Sequence, residues 1–332
     1  MANLLRNGVK VTQGQKNPCS LNKLELLDHP QCLQGFHPKN ETQYKLQKKA
    51  QNSYFSRQLA QSLMQLDSKL NSAYSRTFYD CCTTIVQQGQ ELTSRYCKAR
   101  WCNVCNRIRT AHLMNGYLIP LNNLKEPQFV TLTIPNVNTA DLKHSLRQMV
   151  STSTKIARLI KRQKNSFNGI RKIECTYNAI EDNYHPHFHF ILEGKEIAEL
   201  LRKEWLMRNN DCNPIAQKII PVYDNSAKEL FKYSTKIVTE SNKGLNIYVS
   251  ALDTIFNAMK GMRTFQAFGN VKKVSEDIED LNSQLYEDIE QYDFVLWKWN
   301  NNDWFNMLYG NSLSGYIPNQ SMLELTTTRM II

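Results

Sequence analysis

No stretch of 18 or more consecutive apolar residues occurs in the 332-residue sequence, so no segment is predicted to cross a membrane as a helix. The first residues, MANLLRNGVKVTQGQKN, lack the apolar core and small-residue cleavage site of a secretion signal, and the expectation is a cytoplasmic protein without a membrane partner. An even cysteine set is missing as well. Nine cysteines cannot all pair, and clustered cysteines in a chain expected to be cytosolic point to metal rather than to a disulfide framework. Acidic residues are in short supply: 30 Asp plus Glu stand against 41 Lys plus Arg, a net charge of +11. That balance favours a polyanionic partner such as nucleic acid over an acidic small molecule. The length suffices for a well-buried core and two or three structural units.

Histidine is also sparse, yet three of the seven fall inside five residues of His185-Pro186-His187-Phe188-His189-Phe190-Ile191-Leu192. On a β-strand, alternation puts His185, His187 and His189 on one side and Phe188, Phe190 and Leu192 on the other. Upstream, Arg171 to Asn178 reads as a strand and Ala179 to Tyr184 as a polar turn. A hairpin pivoting near Glu181 and Asp182 would put Glu174 opposite His189 and on the same face. A carboxylate on the inner face of a sheet is costly unless it is paired or bound to metal. A set of two histidines and one glutamate leaves coordination positions open, as a metal that must grip a phosphate oxygen requires.

The close pair Cys102 and Cys105 is a C-x2-C knuckle that can take adjacent corners of a tetrahedron around zinc. Cys97 and one of Cys81 or Cys82 can complete it, with Cys82 assigned here. A closed set of four thiolates would be structural, tying Arg100, Arg107 and Arg109 into a rigid basic surface for phosphate contacts. Residues 41–70 carry leucines at helical spacing and are expected to form one or two amphipathic helices. Phe129 to Asn136 reads as a strand whose Thr131 and Thr133 share one face and could line the site. Thr139 to Ile160 reads as an amphipathic helix with Thr139 as cap and Asp141 in its first turn. From Lys155 to Lys172 there are seven basic residues and no acidic one, and Lys155, Arg158, Lys161, Arg162 and Lys164 are candidates for a phosphate backbone. Further on, Ser226 to Val238 is predicted helical, with Glu229, Tyr233 and Lys236 in line along one side. A tyrosine is a poor nucleophile at its free pKa, so a nearby metal and lysine would have to stabilise its oxyanion.

Taken in order, the segments CKARWCNVCNRIR, FVTLTIPNV, ECTYNAIEDNYHPHFHFIL, KELFKYSTKIV and GMRTFQAFG resemble the rolling-circle replication initiators of small bacterial plasmids, members of the HUH endonuclease superfamily of single-tyrosine type. The resemblance covers roughly residues 80 to 270. It implies an α+β fold, a mainly antiparallel sheet with packed helices on a ferredoxin-like or RRM-like core, plus a zinc-stabilised N-terminal segment. His187, His189 and Glu174 would hold Mg2+ or Mn2+, with His185 beside the ligand set, and Tyr233 would attack the scissile phosphate of single-stranded or cruciform origin DNA. That attack leaves a 5'-phosphotyrosine and a free 3'-OH. Glu229 would activate water at termination and Lys236 would orient the tyrosine or the phosphate. Asn103 departs from the family pattern, where a proline is common.

The expected organisation is an irregular lead-in over 1–40, a helical and cysteine-rich zinc and DNA-binding segment over 41–120, the catalytic domain over 125–272, and a C-terminal segment over 273–332. The last begins with eight acidic residues between Ser275 and Asp293 and carries Trp297, Trp299 and Trp304, read as packing residues. Partners implied are origin DNA, a host helicase and DNA polymerase, and a second copy of the chain in a homodimer. Rival expectations are a transposase or mobilisation relaxase of the same superfamily, and a zinc-dependent DNA-binding protein without nicking activity.

Overall fold

A computed structural model of the chain describes residues 41–222, 230–231, 237–241, 244–275 and 294–332. The lead-in over 1–40, most of the acidic stretch, and Glu229, Tyr233 and Lys236 lie outside the described residues. The described residues form an α+β structure with seven α-helices and sheets dominated by antiparallel pairing.

The site is carried by a five-stranded antiparallel sheet made from β3 (Gln128–Thr133), β4 (Gly169–Asn178), β5 (Asn183–Leu192), β6 (Lys218–Pro221) and β9 (Phe265–Phe268), in the order β6-β3-β5-β4-β9. Alternation sorts its two faces. Val130, Leu132, Arg171, Ile173, Cys175, Phe188, Phe190 and Leu192 point to the back, all of them buried. That face is covered by α4 (Leu142–Lys164), α5 (Lys195–Arg208) and α6 (Val249–Met259). Helix α4 turns Leu142, Leu146, Met149, Ile156, Ala157 and Ile160 inward, as the sequence spacing predicts. It begins three residues later than its predicted cap. Asp141 occupies the cap position rather than the first turn, and its N–H is donated to Asn138 Oδ1 at 3.0 Å. Trp205 of α5 fills the back layer, packs on Phe188 at 5.8 Å between centroids and donates its indole N–H to the Thr133 carbonyl at 3.1 Å.

The front face is divided. At one end Phe129, Ile170, Ile191, Phe265 and Ala267 are roofed by Leu113, Tyr117 and Leu121 of α3 (Asn103–Asn122), together with Leu230 and Phe231. At the other end the same face is polar: Thr131, Thr133, Lys172, Glu174, His185, His187 and His189. One sheet face thus changes from core to chemistry within two residues of each strand.

The cysteine-rich part packs around α1 (Glu41–Leu63), which is not the amphipathic helix expected. It is buried on most sides, polar Gln47, Gln51, Asn52, Ser56 and Arg57 included. A second helix, α2 (Asn71–Tyr79), follows, and then the hairpin of β1 (Thr84–Gln88) and β2 (Glu91–Ser94). Residues beyond 294 return to this region. Strands β10 (Val295–Asn300) and β11 (Asp303–Asn306) complete a four-stranded sheet in the order β11-β10-β1-β2. Trp304, fully buried, donates its indole N–H to the Cys82 carbonyl at 2.7 Å, and Trp297 is buried as well. A smaller group pairs β7 (Thr239–Ser241) with β8 (Gly244–Tyr248) and β8 with β12 (Met330–Ile331), which follows α7 (Gln320–Thr327).

Candidate active site

Glu174, His187 and His189 converge on the polar end of the front face. Glu174 Oε2 lies 3.1 Å from His187 Nε2 and 3.5 Å from His189 Nε2. The three residues together could hold a metal ion. The register differs from expectation: Glu174 pairs with His187, and Lys172, not Glu174, stands opposite His189. The turn closes one residue early, because the Asn178 side chain accepts the Ile180 N–H at 3.0 Å and Asp182 takes a left-handed φ of 49°. Tyr184 therefore belongs to β5 rather than to the turn. A slip of two residues preserves the face, so the three candidate ligands still meet.

Backbone and side-chain contacts aim each ring. His187 Nδ1 donates to the His185 carbonyl at 3.0 Å, which leaves Nε2 as the lone-pair atom facing Glu174. His189 Nδ1 is hydrogen-bonded to Thr131 Oγ1 at 3.2 Å, so its Nε2 also points at the carboxylate. His185 stays outside the ligand set, with its ring held by Asn136 Oδ1 at 2.8 Å and Thr133 Oγ1 at 3.2 Å. A lone pair aimed at a carboxylate oxygen with no proton between them is unfavourable; a cation there satisfies both. Adjacent ligands of an octahedral ion with bonds of about 2.1 Å stand about 3 Å apart, close to the separations seen.

Lys172 is the residue the sequence reading missed. It is fully buried, ion-paired with Glu174 Oε1, and its Nζ lies 5.8 Å from the Phe265 ring centroid. Burial alone would raise the Glu174 carboxyl, but the Lys172 ammonium beside it holds it well below the usual carboxylate range. Burial keeps His189 below its ordinary value despite Glu174, and hence neutral, as a ligand must be. The signal for Lys172 was present: with Glu174 it alternates onto one face of the strand, the face that also carries the histidines.

The segment predicted to carry the nucleophile is represented by Leu230 and Phe231. Phe231 stacks on Phe265 at 5.5 Å and on Tyr117 at 5.7 Å, and its carbonyl accepts from Thr110 Oγ1 at 3.3 Å. That places these two residues on the same sheet face as the metal-ligand candidates, one aromatic ring from Lys172.

The second cluster is Cys81, Cys97, Cys102 and Cys105, which could also hold a metal ion. Cys81, not Cys82, supplies the fourth thiol. Cys82 has a left-handed φ of 53° and its N–H is bonded to the Arg95 carbonyl at 2.8 Å, so its side chain leaves the cluster. Sulfur separations of 3.6 Å for three of the pairs approach the edge of about 3.8 Å of a tetrahedron with thiolate bonds of about 2.3 Å. Cys102 caps α3 and Cys105 lies in its first turn, where the helix N-terminus favours thiolate. Hydrogen bonds from Cys102, Cys105 and Cys81 hold Cys97 far below the ordinary thiol range.

The basic residues divide. Arg109 is buried and donates to the Lys98 carbonyl at 2.9 Å and to Asn106 Oδ1 at 3.3 Å, bracing the cysteine loop. Arg107 is half-buried on α3, and Arg100 donates to the Met262 carbonyl at 2.8 Å and to Thr264 Oγ1. Lys155, Arg158, Lys161, Arg162 and Lys164 are exposed on α4, behind the sheet and away from the metal-ligand face; Lys164 pairs with Glu196 at 2.5 Å.

Residues 90–197 match the family described as replication protein. A protein of Staphylococcus aureus named Protein rep is 30% identical over 161 residues, covering 42% of this chain and 69% of that protein. Proteins of the same name from Streptococcus pneumoniae serotype 2 and Bacillus amyloliquefaciens are 28% and 32% identical over 106 and 107 residues, and the chain spans only about a third of each, 33% and 32%. No solved structure matches the chain. Both metal-ligand clusters fall wholly or largely inside the matched stretch, and the chain belongs to the replication protein (Rep) family.

Proposed function

We propose that this chain initiates rolling-circle replication of a bacterial plasmid by nicking and rejoining one strand of its origin DNA. The observation that carries the reading is the convergence of Glu174, His187 and His189 on the polar end of a sheet face, within a stretch that matches replication proteins. Mg2+ or Mn2+ held by these residues would supply a Lewis acid for a phosphate oxygen. The chain's own residues do the rest. Tyr233 Oη attacks the scissile phosphorus, forming a 5'-phosphotyrosine, and the departing 3' oxygen takes up a proton to become the free 3'-OH. Lys236 orients the attacking oxygen, and Glu229 activates the water that ends the cycle. The anchored position of Leu230 and Phe231 supports this assignment. Lys172 keeps Glu174 ionised and fixed before any substrate arrives. Zinc in the four-cysteine cluster would be structural, with residues 41–120 serving DNA binding and residues 125–272 catalysis. A cytoplasmic location and a host helicase and polymerase acting on the nicked product follow from the same reading.

The test uses end-labelled single-stranded origin oligonucleotides with Mn2+. Wild type should form a covalent protein–DNA band on a denaturing gel, abolished by Tyr233→Phe and by EDTA and reduced at least about 100-fold by His187→Ala. Persistence of the band in Tyr233→Phe would move the nucleophile to another tyrosine. Binding without cleavage by wild type would leave a DNA-binding protein only.

A further inference from the structure

We infer that a basic cleft between the cysteine loop and the entry to β9 binds a single strand of nucleic acid, outside the metal-ligand face. The inference rests on the reading of the chain as one that acts on DNA. The cleft has a volume of about 710 Å³, and among the described residues no acidic side chain lines it. Lys69, Arg76, Lys98, Lys260, Arg263 and Lys273 surround it, all exposed, from four separate segments of the chain. Its wall includes Trp101 and Phe256, whose rings pack at 5.2 Å. Trp101 gives its indole N–H to Thr77 Oγ1 at 3.2 Å, so its polar atom is satisfied inside the protein. Cations around an aromatic wall are what a single strand requires: charge for the backbone and an apolar surface for a base.

Size decides between strand forms. A cleft of about 710 Å³ is on the scale of a base and its backbone, whereas the major groove of a B-DNA duplex alone is about 12 Å wide and about 8.5 Å deep. A duplex can lie across the mouth but cannot enter.

The cleft is tied to both metal-ligand clusters. Its one wall is the loop Lys98–Trp101, strung between Cys97 and Cys102, and Arg100 of that loop bonds the Met262 carbonyl and Thr264 Oγ1. Thr264 in turn accepts the Ile173 N–H at 3.0 Å, and the next residue, Phe265, pairs with Lys172. The cleft therefore opens beside the β9 edge, about two strand spacings or 10 Å from the histidine strand.

The experiment measures fluorescence anisotropy of a labelled oligo(dT) 20-mer with full-length protein in the Tyr233→Phe background and no added divalent metal, so binding is read without nicking. Lys260→Ala/Arg263→Ala should weaken binding at least tenfold near 0.1 M salt. It should also flatten the slope of log K against log salt by about 1.4, two contacts at about 0.7 each. Lys203→Ala/Lys298→Ala, two exposed lysines elsewhere, should change neither. Both variants must keep the wild-type near-ultraviolet circular dichroism. Unchanged affinity and slope in the first pair, or equal loss in the second, overturns the site. A duplex of equal length competing as well as the single strand overturns the strand assignment. Failure of the nicking test leaves these outcomes readable, since none depends on cleavage.

Discussion

Alanine at position 174 is expected to destabilise the sheet by about 3–5 kcal/mol, because it strands a buried lysine. Lys172 has no exposed surface, and its ammonium is paired with Glu174. Removing the carboxylate leaves that charge buried beside two histidines. At about 2–4 °C per kcal/mol, the melting temperature should fall by roughly 10 °C. Lys172→Met in the same chain should recover most of the loss, since methionine fills the volume without the charge. Metal binding should not return. The double variant would be folded and unable to take up Mn2+ by calorimetric titration, whereas Lys172→Met alone keeps all three ligands. A double-mutant cycle on the melting temperatures reads the coupling directly. Glu174→Ala melting with wild type would mean that the pair does not hold this end of the sheet, and the account of a fixed, ionised Glu174 would fail with it.

The convergence of Glu174, His187 and His189 on one face was legible in the sequence because strand alternation has a period of two. His187, His189 and Glu174 stay on one face under any even slip, so misplacing the register by two residues did no harm to the ligand set. The same alternation shows Lys172 in hindsight. Choosing between Cys81 and Cys82 was beyond pattern: neighbouring residues of identical chemistry are separated only by the left-handed backbone at Cys82. Helix α4 was readable as amphipathic, yet its stripe says only that it covers a core, not which face of the sheet. Its basic side consequently lies behind the sheet from the face expected to meet DNA. Pairing of β1 with β10, more than 200 residues apart, carries no local signal at all. Nor does the burial of polar α1, whose Arg57 donates to the Cys81 carbonyl at 2.8 Å and to Thr83 Oγ1 at 2.9 Å.

That arginine bears on the other large effect. Four thiolates around a divalent ion carry a net charge of −2, and two cations of this helix lie beside the cysteine segment to answer it: Arg57, buried and bonded to the Cys81 carbonyl, and Lys49, which reaches the hydroxyl of Tyr96, the neighbour of Cys97, at 3.3 Å. A helix with such side chains facing thiols is built for a charged cluster rather than for four neutral cysteines. The protein is therefore expected to hold one equivalent of zinc, released on thiol oxidation and measured with a colorimetric chelator. Cys105→Ser should lose it and Cys82→Ser should retain it, which separates the two neighbours Cys81 and Cys82. Structural zinc contributes about 10–16 kcal/mol in small zinc-binding peptides, so its loss should melt residues 81–109 well before the sheet, with a transition at least about 10 °C lower. Trypsin should then cut faster at Arg95, Lys98 and Arg100, whose backbone the cysteine cluster holds fixed in the folded protein. The loop Lys98–Trp101 would lose its two anchoring ligands at the same time, so oligo(dT) affinity should fall with zinc content. Manganese binding at Glu174, His187 and His189, carried by another sheet, should persist. If Cys105→Ser keeps its zinc and its melting profile, the cluster is four packed thiols and the cleft must be organised by the Arg100 contacts alone.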